Sequence, residues 1–338
     1  DFRFGRPAYT NVVMPFDAEP PHVATQNPTG VHHRRFRLPR GWSKRRIVLE
    51  VGSADSSLLV WVNGSVVAAS TDSRLSACFD LTDHVRAGYN DLALVVTQWS
   101  AATWIEDQDQ WWLPGLHRSV RLVAFAPRSL GAVRLVPGLR DDLCTGTLAV
   151  DIELDAGNDV PDGWTVEVEV LGARRRRIAR LGPQTVATFT HGHPLEEVIS
   201  AMFWEGPRVV GLVEVPDIEP WSHESPRLYD VVVTLRDAGG EVVDLRRQRT
   251  GFRSVVVADN ELRINGAPVV INGVNRHEFD PTRGRSVDEA SMRRDLELMQ
   301  QHHLNAVRCA HAPTDPRFVD LCDEYGILLV SEEVQQGF

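Results

Sequence analysis

Three polar clusters carry most of the chemistry available to this chain. They are Asn275-Arg276-His277-Glu278, then Arg308 with His311, then Glu332-Glu333, and each follows a short apolar run that reads as a strand. Enzymes built on parallel sheets place their sites at the carboxyl ends of the strands, so three clusters at that edge point to one site. Each cluster alone is equally readable as a strand-end turn with satisfied hydrogen bonds. His277 and His311 suit hydrogen bonding to hydroxyl groups. As metal ligands they lack a third ligand at regular spacing. Arg308 and Glu278 have the chemistry to pair as a structural bridge beneath the site.

A second cluster lies far upstream. Glu106, Asp107 and Asp109 crowd together within a stretch that also holds Trp99, Trp104, Trp111 and Trp112. Carboxylates beside indole faces suit a sugar, whose hydroxyls donate and whose C–H face stacks. The competing reading is a solvated acidic loop. The run Arg174 to Arg177 has no interleaved aromatic residue and reads as a solvated turn.

These groups need elements to hold them. Over the first 125 or so residues, short Val-, Leu- and Trp-rich runs recur about every ten residues, which suggests a sandwich or jelly roll. Asn63-Gly64 between two such runs marks a tight hairpin. From about Arg128 to Gly251 a second set of alternating runs has the size of an immunoglobulin-like sandwich, without the Cys–Trp–Cys spacing of antibody domains. Beyond Arg253 the pattern becomes β-α-β-α-β. Pro268 to Val274 reads as a buried strand and Asp288 to His303 as a helix with Asp288 as N-cap. Asn305 to Cys309 is a second strand, Asp315 to Tyr325 a helix with Pro316 at its first position, and Ile327 to Val330 a third strand. Three parallel strands with two helices cannot cover both faces of a sheet, so the α/β part reads as incomplete.

Composition limits the alternatives. The chain has 338 residues, 43 % hydrophobic and 24 % charged, which fits two or three globular domains rather than disorder. Its net charge of −10 argues against nucleic acid as a partner, and no apolar run is long enough to span a bilayer. Cys78, Cys144, Cys309 and Cys322 are scattered without CxxC spacing, which predicts reduced thiols and a cytoplasmic location. All basic residues except Lys44 are arginine, which nearly removes lysine Schiff-base chemistry.

At this point the motifs resemble a known family. YTNVVMPF, QNPTG (Gln26 to Gly30), DSRL (Asp72 to Leu75), FDLTDHVRAGYNDLALVV and EDQDQWW resemble the sugar-binding jelly roll of glycoside hydrolase family 2 β-galactosidases. GVNRHEFDP and NAVRCAHAPTDPRFVDLCDEYGILLVSEE resemble the opening of that family's catalytic TIM barrel. The second follows the family signature at Asn305, Arg308, His311, Pro313, Asp323 and Gly326, and departs from it at Ala312, where the family usually has Tyr. The resemblance implies a jelly roll over 1–127, an immunoglobulin-like sandwich over 128–252 and the start of a (β/α)8 barrel over 253–338.

It also implies a retaining glycosidase that releases terminal β-D-galactose. Asn11 and Asp109 would reach the galactose pocket from the first domain, with Asp109 also helping to hold a sodium ion. His277 and His311 would hydrogen-bond galactose hydroxyls, Glu278 would support the site, and Arg308 would position the nucleophile. Retaining hydrolysis needs two carboxylates roughly 5 Å apart. In the family both are glutamates from later barrel strands, and Glu332 and Glu333 align with neither. The 338 residues alone are therefore expected to be inert, and the parent protein to hydrolyse β-galactosides. The family's magnesium ligands correspond to Gln336 and Phe338, which puts that ion in doubt. The competing readings are a family 2 β-glucuronidase or β-mannosidase, and a non-catalytic carbohydrate-binding or assembly subunit. As partners, the resemblance admits a homo-oligomer or a second chain that completes the barrel.

Overall fold

The computed structural model describes residues 7–11, 13–155, 162–190 and 205–331. Contacts divide the chain into two units. One combines Asp1–Phe125 with Asn272–Leu321 and Leu328–Phe338, and the other combines Ala126–Ile271 with Cys322–Ile327.

In the first unit, Thr29–Leu38, Gly88–Thr97, Ser57–Val62 and Ser65–Ser70 form a four-stranded antiparallel sheet in that order. Val120–Phe125, Arg46–Val51 and Ala77–Asp80 form a three-stranded one. Side chains alternate between faces of a strand, so Leu58, Val60 and Val62 enter the core while Leu59 and Trp61 face solvent. Leu49 and Val51 from the smaller sheet meet Leu92, Leu94 and Val96 from the larger in one apolar cluster. The Asn63-Gly64 turn has φ of 51° and 88°, the left-handed pair that lets a two-residue hairpin follow the strand twist.

The same unit carries the α/β segment. Gly273–Arg276, Ala306–Cys309 and Leu328–Ser331 form a parallel three-stranded sheet, with Asn275 opposite Arg308 and Cys309 opposite both Arg276 and Ser331. Helix α1 is Glu289–Gln301, and the Asp288 side chain caps it by accepting from the Ser291 amide. Met292, Leu296 and Met299 form its buried stripe. Helix α2 is Pro316–Tyr325 and opens on proline, whose missing N–H would have had no helical partner. No barrel is closed among the described residues. The first strand is shorter than the apolar run suggested. Pro268 ends a small hairpin strand, Ala267–Pro268, and Val270 and Ile271 are exposed, so apolar character marked a connector as well as the strand.

The second unit is a sandwich of two four-stranded antiparallel sheets. One has the order Ser129–Leu139, Gly146–Asp155, Glu205–Val215, Ala187–Thr190, and the other Arg177–Thr185, Thr165–Leu171, Tyr229–Arg236, Val242–Thr250. Val166, Val168 and Val170 meet Leu148, Val150 and Ile152 in its core. Ser129–Leu139 and Val242–Thr250 escape a reading by hydrophobicity because their arginines and exposed residues break the apolar runs. Among the described residues no helix is long and apolar enough to cross a membrane.

Candidate functional site

The carboxyl edge of the parallel sheet presents the two histidines together. His277 directly follows the first strand and His311 lies two residues past the second. Because those strands are hydrogen-bonded neighbours, the rings meet edge to face with centroids 5.3 Å apart. The Ala310–His311 peptide bond is cis. Desolvation, then the neighbouring His277 and Arg308, push the His311 imidazole below its ordinary value, while the Asp109 carboxylate pulls it up. The net effect favours the neutral imidazole at pH 7, which carries one acceptor and one donor nitrogen.

The acidic, tryptophan-rich stretch sorts its side chains into different jobs. Glu106 accepts from the Ser73 amide at 3.0 Å and from its hydroxyl, and Asp107 accepts from the Thr10 hydroxyl. Asp109 accepts from the Tyr9 hydroxyl. Of the three carboxylates, Asp109 lines a cavity of about 400 Å³. The other lining residues are Tyr9, Gln110, Trp111, His277, Glu278, Phe279 and Arg285. That volume lies within the range for small-molecule sites. The tryptophans divide too. Trp99 and Trp112 are buried and stacked with centroids 5.7 Å apart, so they are core, whereas Trp111 is exposed at the cavity.

Asn11 lies close enough to the Tyr9 hydroxyl to draw its pKa down, and so sits near Asp109. Arg308 donates to Asn275 at 3.3 Å. The Arg308–Glu278 bridge expected from sequence is not what forms. Glu278 pairs with Arg118 at 2.8 Å and also accepts from the Thr314 hydroxyl at 2.9 Å and the Asp315 amide at 2.8 Å. Glu278 points toward the jelly-roll strands, where Arg118 already waits, and sequence proximity at a strand end could not reveal that. Burial alone would raise the Glu278 carboxyl. Arg118 and the two other donors outweigh it and hold the group below its usual range, so it is an anion bound in place rather than a proton donor. Glu332, Glu333, Gln336 and Phe338 lie outside the described residues.

Beneath the cavity is a buried charge network that sequence reasoning missed. Asp55 is fully buried, 3.1 Å from Arg74 and 4.0 Å from Arg285. Arg285 donates to Gln110 at 3.2 Å, and burial, then Arg74, lower its guanidinium to about 10, still charged at neutral pH. His117 lies 3.5 Å from Asp55 with its side chain 7 % exposed. An ion pair there would raise the imidazole. Burial and the surrounding Arg285, Arg74 and Arg118 win instead and depress it to about 4, so the contact is neutral imidazole against carboxylate. The unfolded chain protonates His117 near 6.5 and the folded chain does not until about 4. Stability is therefore full above pH 6.5 and falls as pH drops toward 4, by about 3 kcal/mol from this residue. Urea unfolding of wild type against His117→Gln between pH 7 and 4 should show that component of the slope disappear.

A sodium ion takes oxygen ligands, and the described residues at the cavity offer two carboxylates, Asp109, already engaged by Tyr9, and Glu278, already engaged by Arg118. Among the described residues no group of three or more His, Cys, Asp or Glu side chains could hold a metal. The set present here does not by itself make a cation site, and no chemical step is routed through one.

Family matches cover the chain end to end. Residues 1–126 match the sugar-binding domain of glycosyl hydrolases family 2, residues 130–253 match glycosyl hydrolases family 2, and residues 255–338 match that family's TIM barrel domain. The chain belongs to glycosyl hydrolase family 2. Among curated relatives, this family 2 chain is 38 % identical to a β-galactosidase from Arthrobacter sp. (strain B7) over 335 residues, which is 98 % of this chain and 29 % of the relative. It is 36 % identical to a β-galactosidase from Psychromonas ingrahamii and 38 % identical to one from Klebsiella pneumoniae, covering 97 % of this chain and 31 % of each relative. The chain thus spans about three-tenths of the curated relatives it matches. Its fold matches a Bifidobacterium dentium β-glucuronidase with a TM-score of 0.74 at 21 % identity, covering 90 % of this chain and 52 % of that one. A family 2 member from Bacteroides cellulosilyticus gives 0.77 at 21 % identity, covering 90 % and 37 %.

Tyr9, Phe279 and Arg285 were not singled out as ligands from sequence, although Tyr9 lies in YTNVVMPF and Phe279 in GVNRHEFDP. Arg118, Asp55 and His117 carried no sequence signal, since their partners lie in remote segments.

Proposed function

We propose that the full-length protein carrying this chain is a retaining β-galactosidase and that this chain supplies the hydroxyl-binding half of its sugar pocket. The observation that carries the reading is the meeting of Asp109 with His277 in one cavity, with His311 packed on His277. Identity of 36–38 % to β-galactosidases along nearly the whole chain supports it. In this reading Asp109 accepts from one galactose hydroxyl, His277 and His311 hold others, Asn11 completes the rim, and Arg308 orients the nucleophile. Hydrogen bonds that strengthen as positive charge develops on the ring lower the barrier. Asp109 is also the place for a sodium ion, if further oxygen ligands reach it from the rest of the protein. With exposed free thiols at Cys78 and Cys144, the protein works in a reducing compartment, the cytoplasm.

The fold is shared with β-glucuronidases, so sugar choice is the sharp test. A uronate would bring a second carboxylate toward Asp109, while the Arg285 cation is committed to Gln110 and Asp55. Two charges about 5 Å apart at a partly wet site repel by about 3 kcal/mol, a factor of about 10². The wild-type full-length protein should therefore prefer p-nitrophenyl β-galactoside over the β-glucuronide by about 10²-fold or more in kcat/KM, and Asp109→Asn should narrow that ratio. NMR of the first product should show the β-anomer. A preference for the glucuronide, or galactose binding with no turnover of either substrate, would overturn the assignment.

A further inference from the structure

We propose that Tyr9 is a positioning residue for Asp109: its hydroxyl donates to one oxygen of that carboxylate and so presents the other to a sugar hydroxyl. The proposal rests on the galactose-pocket reading above.

Tyr9 is placed by backbone pairing. Ala8–Tyr9 and Trp111–Trp112 form a two-residue antiparallel ladder that sets Tyr9 opposite Trp111. Buried Trp112 anchors this ladder from below, with its indole N–H donating to the Gln98 carbonyl at 3.0 Å. The Tyr9 and Trp111 rings meet edge to face, 5.8 Å between centroids and 61° between planes. The phenol therefore has little freedom, and its hydroxyl donates to Asp109 Oδ1. Asp109 raises the phenol above its ordinary value, so Tyr9 keeps its donating proton throughout the neutral range.

The consequence is energetic and geometric. Asp109 is exposed on a loop, and an untethered carboxylate must lose rotamer freedom when it grips a ligand. Tyr9 removes that cost before the sugar arrives. It also engages Oδ1, so an incoming sugar hydroxyl meets Oδ2 first.

The test uses the full-length protein and a double-mutant cycle of Tyr9→Phe and Asp109→Ala. The readouts are kcat and KM for p-nitrophenyl β-galactoside, and Kd for free galactose from tryptophan fluorescence. Tyr9→Phe should raise KM and Kd about 10-fold with kcat within about threefold, the pattern of lost uniform binding. On the Asp109→Ala background the same change should move neither by more than about twofold, because the group it positions is gone. In a series of monodeoxygalactosides the Tyr9→Phe penalty should vanish for one member only. Equal penalties on both backgrounds, or none on either, overturn the role of Tyr9. If Asp109→Ala alone leaves KM and Kd unchanged, the galactose-pocket reading itself falls, and Tyr9 with it.

Discussion

Replacing His277 with alanine in the full-length protein is expected to lower kcat/KM for a β-galactoside by about 10²-fold, with most of the loss in kcat. The ring stands at the cavity, 5.3 Å from His311 between centroids, and a donor aimed at a group that gains charge in the transition state typically contributes on that scale. His311→Ala should cost a similar factor. The double variant should lose less than the product of the two, because each ring limits the movement of the other. Steady-state kinetics of the two single variants and the double variant measure this. The pH profile adds a second check. His311 is pushed below its ordinary value by burial, His277 and Arg308, so it stays neutral on acidification past the pH at which a free imidazole charges. An acid limb of kcat/KM near 6.5 that His311→Ala abolishes would contradict that environment.

Replacing Arg118 with methionine is expected to destabilise the folded state by about 3 kcal/mol at pH 7, at the low end for breaking a buried ion pair. One guanidinium reaches the Glu278 carboxylate at 2.8 Å, the Pro313 carbonyl at 2.6 Å and the Arg74 carbonyl at 3.0 Å. It therefore ties the residue after His277 and a residue two past His311 to the jelly roll. Methionine fills similar space but leaves Glu278 charged, 13 % exposed and without its hydrogen-bonded cation, with Arg276 still 4.0 Å away. The Thr314 hydroxyl and Asp315 amide remain, which moderates the cost. The pH dependence has a definite sign. In wild type the Glu278 carboxyl is held below its usual value, so its contribution is present above the unfolded pKa of 4.5 and is lost as pH falls through the depressed value. In the variant, desolvation acts unopposed by Arg118 and raises that carboxyl, so protonation relieves the penalty. Urea midpoints should accordingly differ most at pH 7 and converge toward pH 4. A gap that stays constant would show that packing, not charge, sets the cost.

Much of the architecture was legible because local chemistry and the final structure agree. Asn63-Gly64 and Asn265-Gly266 make turns at positive φ as their residue types demand, and the Asp288 cap and the proline opening α2 mark helix starts at their expected places. The β-α-β-α-β order then puts His277 and His311 past the ends of adjacent strands whatever else the chain does. Motif resemblance alone carried the reading of the first domain's Asn11, whereas Asp109 was also marked by the carboxylates and indoles around it.

Other features waited on tertiary structure because they are made by partners from remote segments. The sequence presented Glu106, Asp107 and Asp109 as one acidic group. Folding hands the first to Ser73 and the second to Thr10, leaving only Asp109 at the cavity. It presented four tryptophans as one aromatic wall, and burial takes Trp99 and Trp112 into the core. It offered Arg308 for Glu278, and the fold chose Arg118, 160 positions away. Type and spacing determined which groups exist and which strand ends carry them. Which of those groups keep a free oxygen or nitrogen for a ligand was decided by the fold, because a buried polar atom must first be satisfied by whatever the rest of the chain brings within about 3 Å.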